Sequence, residues 1–365
     1  MCGTRPDALK MAPVVIELKR HPEEVDLVLA VTGQHREMLE QVLKTFGLVP
    51  DYDLQIMSAK QTLAQITTRA LEGLDRVIQE TQPGLLLAQG DTTTTFVASL
   101  ASFYNRVPFG HVEAGLRTDN KFDPFPEEIN RRLTGVLCDI HFAPTELSRR
   151  CLLREGVSDE DIYVTGNTVI DALVSVAAMD HEFDDERVRA AAGAERMILM
   201  TAHRRENWGE PMRDICRAVK EILSLHPEVS VVFPVHKNPI VRDVVFPELG
   251  GMDRVVLTEP PDYVPFVHLM KASHLILTDS GGVQEEAPSL GKPVLVLRKT
   301  TERPEGVEAG SAKLVGTDKD TIVREAHALL SDRAAYDAMA RVNNPYGDGR
   351  AAERIWEAIR ARFMC

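Results

Sequence analysis

Short runs of aliphatic and β-branched residues recur along the chain, separated by amphipathic segments. VDLVLAVT (25–32), GLLLAQGD (84–91) and VPFGHVEA (107–114) come first, then RMILMTA (196–202), VSVVFPV (229–235), HLILTDS (274–280) and KPVLVLR (292–298). Runs that are apolar throughout, rather than alternating, fit strands covered on both faces of a parallel sheet. The segments 92–106, 212–226 and 321–332 between them read as helices. This alternation predicts βαβ units.

The two halves repeat one plan. GLLLAQGD, a helix opening at a hydroxyl cluster and VPFGHVEA match HLILTDS, a helix opening at Gly281 and Gly282, and GKPVLVLR. The pattern predicts an α/β protein of two Rossmann-like, doubly wound domains, at 1–165 and 175–345, joined by the acidic, Ala-rich stretch 178–195. Two such sheets are expected to face a cleft, with the ligand beyond the carboxyl ends of the strands. One irregularity stands at the start. The turn in MCGTRPD normally follows a buried strand, so a first strand is expected to be missing, through a misassigned start or a truncation, or else replaced by another segment.

The length of 365 residues agrees with two domains. With 42 Lys and Arg against 55 Asp and Glu, the net charge of −13 argues against an extended nucleic-acid surface. An anionic ligand must be held by a few local cations and helix N-termini. Aromatic residues, at 5%, are too sparse for a base-stacking platform. No apolar run approaches the roughly 20 residues of a membrane span, and no signal pattern opens the chain, so a soluble cytoplasmic protein is expected. Cys2, Cys138, Cys151, Cys216 and Cys365 form no CxxC pair, which excludes a zinc ribbon or disulfide framework.

Nucleotide motifs narrow the chemistry. Gly291-Lys292 lacks the upstream glycine of a P-loop, since Glu286 stands there, and no GxGxxG follows a strand. Redox dinucleotide binding is therefore not expected, and no other cofactor and no metal is expected either. Thr278-Asp279-Ser280-Gly281-Gly282, where a strand gives way to a helix, can bring backbone amides close to a phosphate, although it also reads as an ordinary N-cap. In Glu285-Glu286 one carboxylate can accept from two ribose hydroxyls, or both can simply favour the helix dipole. Arg303, in TTERPEG, reads as a cation outside any structural pair, and Arg5 and Lys10 in GTRPDALK supply two more. Asp91 and Glu113 end two apolar runs, and Glu127 and Glu128 follow the loop DPFP. Carboxylates so placed can act as general acids and bases. His203, in TAHRREN, holds the corresponding place in the second half, beside Arg204 and Arg205. It reads either as a structural hydrogen bonder or as a contact to a nucleotide or leaving group.

GTRPDALKMAP, TGQHREML, GDTTTT, GHVEAGLRT, PFPEEINR, VTGNTVIDAL, TAHRREN, FPVHKNP, TDSGGVQEEAPSLGKPVLVLR, TTERPEGVEAG and NPYGDGRAAERI together resemble, in order and over nearly the whole chain, the non-hydrolysing UDP-N-acetylglucosamine 2-epimerase family. The resemblance implies the two-Rossmann, GT-B-like glycosyltransferase architecture. Its domains would be 1–168, with a returning C-terminal helix at 349–365, and 169–348. The implied activity is reversible interconversion of UDP-N-acetylglucosamine and UDP-N-acetylmannosamine, by anti elimination of UDP to a 2-acetamidoglucal and re-addition at the opposite face of carbon 2.

By motif, Arg5, Lys10, Ser280, Gly281, Gly282, Glu286 and Arg303 would hold the nucleotide, with Phe266 near the uracil. Asp91, Glu113 and Glu127 would handle protons, and His203 would stabilise the departing diphosphate. Gln34, Gln61, Arg204 and His236 match positions at which bacterial members bind a second substrate molecule as activator. Glu37, Lys60 and Pro261 depart from some members. A homodimer is also implied, with no nucleic-acid or membrane partner. The residues leave open which carboxylate is the base, and leave open a hydrolysing epimerase, a glycosyltransferase or a sugar-nucleotide sensor.

Overall fold

The computed structural model describes residues 1–33, 36–56 and 61–364, with the backbone alone at 36–38. By their internal contacts the residues divide into two compact units, Met1–Ala172 with Gly347–Cys365, and Leu173–Tyr346.

The second unit is built on a parallel sheet of β7 to β12, numbered with the strands of the first unit as β1 to β6. They are β7 (Arg196–Thr201), β8 (Val229–Pro234), β9 (Val255–Thr258), β10 (Leu275–Thr278), β11 (Val294–Val296) and β12 (Ala312–Leu314), in the order β12-β11-β10-β7-β8-β9. Counted from its own first strand, this is the doubly wound order 3-2-1-4-5-6, and the order reverses between β7 and β10. The apolar runs are the core strands. Ile198, Val231, Leu277 and Leu295 bury their side chains against Ile215, Val219 and Ile222 of the helix Glu210–Leu225. The linker expected at 178–195 contains a helix, Glu186–Ala192, because Asp185 caps the amide of Arg187 and Val188 and Ala191 supply a buried stripe.

The first unit carries a parallel sheet of β3 (Leu86–Gln89), β4 (Phe109–Val112), β5 (Ile140–Ala143) and β6 (Ile162–Val164), and a separate parallel pair, β1 (Ala30–Val31) and β2 (Tyr52–Asp53). The strand expected over 25–32 is paired only at Ala30–Val31. Cys2 forms a single parallel bridge with Val31 on one side, and the amino group of Met1 donates to the Leu87 carbonyl on the other at 2.8 Å. Thr4 and Asp7 close a capping box on the helix Arg5–Leu18, and Asp7 Oδ2 also accepts from Gly3 N at 3.2 Å and from Thr92 Oγ1 at 3.2 Å.

The helix Ala351–Phe363 buries Ile355, Trp356 and Ile359 in the same core as Met11, Val15 and Leu18 of the first helix. Asp171 fixes its start, accepting from Ala351 N at 3.1 Å and Ala352 N at 2.8 Å. Burial pushes the Asp171 carboxyl up, and those amides pull it back part of the way. The side chain thus acts as a distant N-cap. Asp171→Ala is expected to cost about 1–2 kcal/mol of stability, and Asp171→Asn less, in urea melts.

Candidate active site

In the first unit, functional side chains gather at the carboxyl ends of the strands. Glu113 follows β4 with φ +64, a left-handed conformation that costs a residue with a Cβ roughly 1–3 kcal/mol. Its carboxylate is buried and surrounded by donors. Lys10 Nζ lies 2.5 and 2.7 Å from the two oxygens, Asn167 Nδ2 2.9 Å from Oε1, and the Gln89 amide donates to Oε2. Lys10, expected as a diphosphate cation, is therefore the ion-pair partner of Glu113. Asp91 accepts from Arg131 at 2.7 Å, and its carbonyl accepts from Asn130 Nδ2 at 3.0 Å, so the helix Glu127–Leu137 holds the turn that carries it.

Glu127 and Glu128 open that helix but differ in what they touch. Glu128 is fully buried and accepts from Arg132 Nε at 2.9 Å and Thr118 N at 3.0 Å. Glu127 is half-buried and has no hydrogen-bond or ion-pair partner among the described residues. Arg5 likewise has no ion-pair partner among them, and it stands at the first position of a helix, where a cation opposes the helix dipole. That placement suits an incoming anion.

In the second unit the topology selects the spot. His203 follows β7 and Ser280 follows β10, the two strands flanking the reversal of strand order, where open α/β sheets hold ligands. Asp279 is fully buried between them. Its Oδ2 accepts from His203 N at 2.8 Å, Arg204 N at 2.9 Å and Asn207 Nδ2 at 2.9 Å, and Oδ1 lies 3.0 Å from His203 Nδ1. Burial alone would raise this carboxyl, but the His203 ring and the amides of Arg204 and His203 outweigh it and hold Asp279 below the usual range. The carboxylate fixes the ring and directs Nε2 away from it. His236 stacks on His203 with centroids 5.5 Å apart, and desolvation and the neighbouring His203 lower its proton affinity.

Ser280 is the N-cap of the helix Gly281–Glu286, yet its hydroxyl makes no cap hydrogen bond. Among the described residues, a Cβ on Gly281 would meet only Arg204 at 4.0 Å, and one on Gly282 only Glu286 at 3.7 Å and Ser280 at 3.9 Å. Packing against those residues requires neither glycine, so their open side suits a close-approaching ligand. Glu286 accepts from the Tyr263 hydroxyl at 3.0 Å, and Phe266 lies one turn further along the Tyr263 helix. Arg303 is not a lone cation. Its Nε donates to the buried Glu285 carboxylate.

Of the residues read as a regulatory set, Gln34 lies outside the described residues, as do Lys60 and the side chain of Glu37. Gln61 belongs to the first unit and donates to the Ile56 carbonyl at 2.6 Å. Arg204 and His236 belong to the second and both adjoin His203. The sequence reading missed Gln89, Asn167, Arg131, Asn207, Tyr263 and the orienting role of Asp279. Asn167, Arg131 and Asn207 lie within family motifs, which was the available signal. Among the described residues one trio of metal-capable side chains, His21, Glu23 and Glu24, shares a small volume, and Glu24 already pairs with Arg360 at 3.0 Å. No helix among them is long and apolar enough to cross a membrane.

A nucleotide-sugar-type α/β protein is what this fold and these strand-end clusters define. The profile described as UDP-N-acetylglucosamine 2-epimerase matches residues 16–360, and the chain belongs to that family. It is 54% identical over 366 residues to the UDP-N-acetylglucosamine 2-epimerase of Escherichia coli K12, covering 98% of this chain and 96% of that one. A relative of known structure from Listeria monocytogenes is 50% identical, with a TM-score of 0.94 over 99% of this chain and 95% of the other. The Neisseria meningitidis UDP-GlcNAc 2-epimerase, crystallised with UDP-GlcNAc, is 47% identical, with a TM-score of 0.85 over 99% and 98%.

Beneath the first cluster, His111 and His141 face each other on β4 and β5, both buried. His111 Nε2 donates to the Gly90 carbonyl at 2.7 Å, and Nδ1 of each ring has no hydrogen-bond partner among the described residues. Burial pushes His111 down to about 4 and His141 to about 3. The unfolded chain takes up these protons near pH 6.5, before the native state does. Stability present above pH 6.5 is therefore lost as pH falls toward 4, by about 1.4 kcal/mol per pH unit for each ring. Urea titrations at pH 7 and 5 should show the drop, and His141→Gln should reduce its slope by one ring's share.

Proposed function

We propose that the protein interconverts UDP-N-acetylglucosamine and UDP-N-acetylmannosamine, retaining UDP through a 2-acetamidoglucal intermediate. The observation that carries this reading is Glu113, a strained, buried carboxylate at the end of β4, in one unit with the strand-end Asp91 and with Glu127. A transferase would leave three such carboxylates without a joint task.

Carbon 2 is not beside a carbonyl, so its hydrogen is only weakly acidic and its removal must accompany or follow departure of the leaving group. One carboxylate of the Asp91, Glu113 and Glu127 set takes the carbon 2 proton. The C–H electron pair becomes the carbon 1–carbon 2 double bond, and the bond from carbon 1 to the diphosphate oxygen breaks. A second carboxylate returns a proton to the opposite face, and the diphosphate oxygen re-adds to carbon 1. The Lys10 ion pair and the amides of Gln89 and Asn167 hold Glu113 in one place for this exchange.

The nucleotide is assigned to the second unit. The Ser280 hydroxyl, the amides of Gly281 and Gly282 and the guanidinium of Arg303 take the phosphates, Glu286 the ribose, and Phe266 the uracil. Arg5 is the family's remaining cation by motif. His203, oriented by Asp279, presents Nε2 to the departing diphosphate. Binding of a second UDP-N-acetylglucosamine as activator would act through Gln34, Gln61, Arg204 and His236, and the stacking of His236 on His203 supports such coupling.

A homodimer is the reading favoured by the exposed stripe Ile129, Leu133 and Val136 on the helix Glu127–Leu137, with Phe103 and Tyr104 also exposed.

In deuterated water, UDP-N-acetylglucosamine should yield UDP-N-acetylmannosamine with deuterium at carbon 2 by NMR. Free N-acetylmannosamine would mean hydrolysis, and no exchange would sink the epimerase reading. Glu113→Gln should lower kcat by about 10²–10⁴ in steady-state assays of the folded variant. Leu133→Glu should shift the mass measured by light scattering from two chains to one.

A further inference from the structure

Two loops of the second unit carry groups assigned above to the diphosphate. Residues 203–207, after β7, hold His203, and residues 297–303, after β11, hold Arg303. β10 lies between those strands, so the strand ends that launch the loops are two strand spacings, roughly 10 Å, apart. Asp279 fixes the first loop to the end of β10. In the second, Thr301 Oγ1 donates to Gln284 at 2.6 Å and accepts from Arg303 N at 3.1 Å, and Arg303 Nη1 donates to the Glu302 carbonyl at 3.1 Å. Whatever moves Glu302 therefore moves Arg303.

Arg298 stands between the loops. Its side chain is only 7% exposed. Nε donates to Glu206 at 2.7 Å, across 92 positions of sequence, and Nη2 lies 3.5 Å from Glu302. A guanidinium taken out of water needs anionic partners, and here each loop provides one. The planar fork of an arginine holds two such partners in a fixed relation, which a single ammonium cannot do. A second tie runs beside the first, because Asn207 Nδ2 donates to the carbonyl of Leu297. Adjacent residues 297 and 298 thus grip adjacent residues 207 and 206, and two parallel ties resist rotation where one would act as a pivot. Glu302 also lies 3.8 Å from Arg204 Nη2, which adds a direct link between the loops.

We propose that Arg298 is a positioning residue for departure and return of the diphosphate: through Glu206 and Glu302 it holds the His203 loop and the Arg303 loop at one separation. The inference rests on the epimerase reading of this site. Arg298 touches no reacting atom and acts through its two carboxylate partners. His203 and Arg303 must meet the same diphosphate from two loops, and small errors in such placement are felt strongly in rate.

The experiment measures kcat and KM for UDP-N-acetylglucosamine, and Kd for UDP by calorimetry, in the parent protein and in Arg298→Met, Arg298→Lys, Glu206→Ala and the double variant Glu206→Ala with Arg298→Met. Arg298→Met should lower kcat on the order of 10–100-fold. Its Kd for UDP should rise less, by under about tenfold, because His203 is engaged only as charge develops on the departing oxygen. Arg298→Lys keeps the charge but offers a single nitrogen, and should not restore kcat. Glu206→Ala alters a half-exposed side chain and carries the test if Arg298→Met does not fold; its kcat should fall about tenfold. In the double variant the two losses should not multiply. Variants that keep the parent's kcat and lose only melting temperature would overturn the inference, as would recovery in Arg298→Lys or losses that multiply. A parent protein that binds UDP but epimerises nothing would instead sink the reading of function, and this inference with it.

Discussion

A carboxylate with no exposure to solvent, Asp279, organises the second unit. Taking such a charge out of water is expensive unless donors surround it. Here the donors come from one short segment, the amides of His203 and Arg204 and the side chain of Asn207, together with the His203 ring. The cost of burial is met only when residues 203–207 wrap around the end of β10. Shaping of that loop, orientation of the imidazole and ionisation of Asp279 are therefore one event. Asn207 extends the tie to the Leu297 carbonyl beyond β11 at 3.1 Å, so the ends of three strands are linked through one side chain.

The first unit solves a related problem with different partners. Glu113 is satisfied by side chains from three separate stretches of chain, Lys10, Gln89 and Asn167, and its backbone is held in the left-handed region. A strained residue persists only where its surroundings over-determine it, and such residues concentrate at functional sites. Glu128, by contrast, is consumed by Arg132 and the Thr118 amide and serves the loop that precedes its helix. Two adjacent glutamates thus have unlike tasks, which their spacing in PFPEEINR could not have separated.

Much of the architecture was legible in the chain. Continuous apolar runs at 84–91, 107–114, 196–202 and 229–235 became β3, β4, β7 and β8, because strands covered on both faces need apolar residues at every position. The run 25–32 was only partly paired, since pairing depends on a neighbour and not on the run itself. IHFA at 140–143 escaped notice because a histidine interrupts so short an apolar run, although that histidine is 1% exposed. At the sites, the strand-end positions of Asp91, Glu113 and His203 could be read from the runs they follow. The pairing of Arg303 with Glu285 could not, because they are 18 residues apart with no periodicity joining them.

The sequence by itself determined the class of fold, the family and the chemical character of the candidate residues, because apolar periodicity and motif identity are local properties of the chain. Only the tertiary structure decided which of those residues meet. His203 and Asp279 are 76 positions apart, yet they touch because β10 lies beside β7 and not beside β9. Strand order follows from crossover handedness and the long-range packing of helices on both faces of the sheet. Those forces act between segments, so no stretch of sequence read alone contains them.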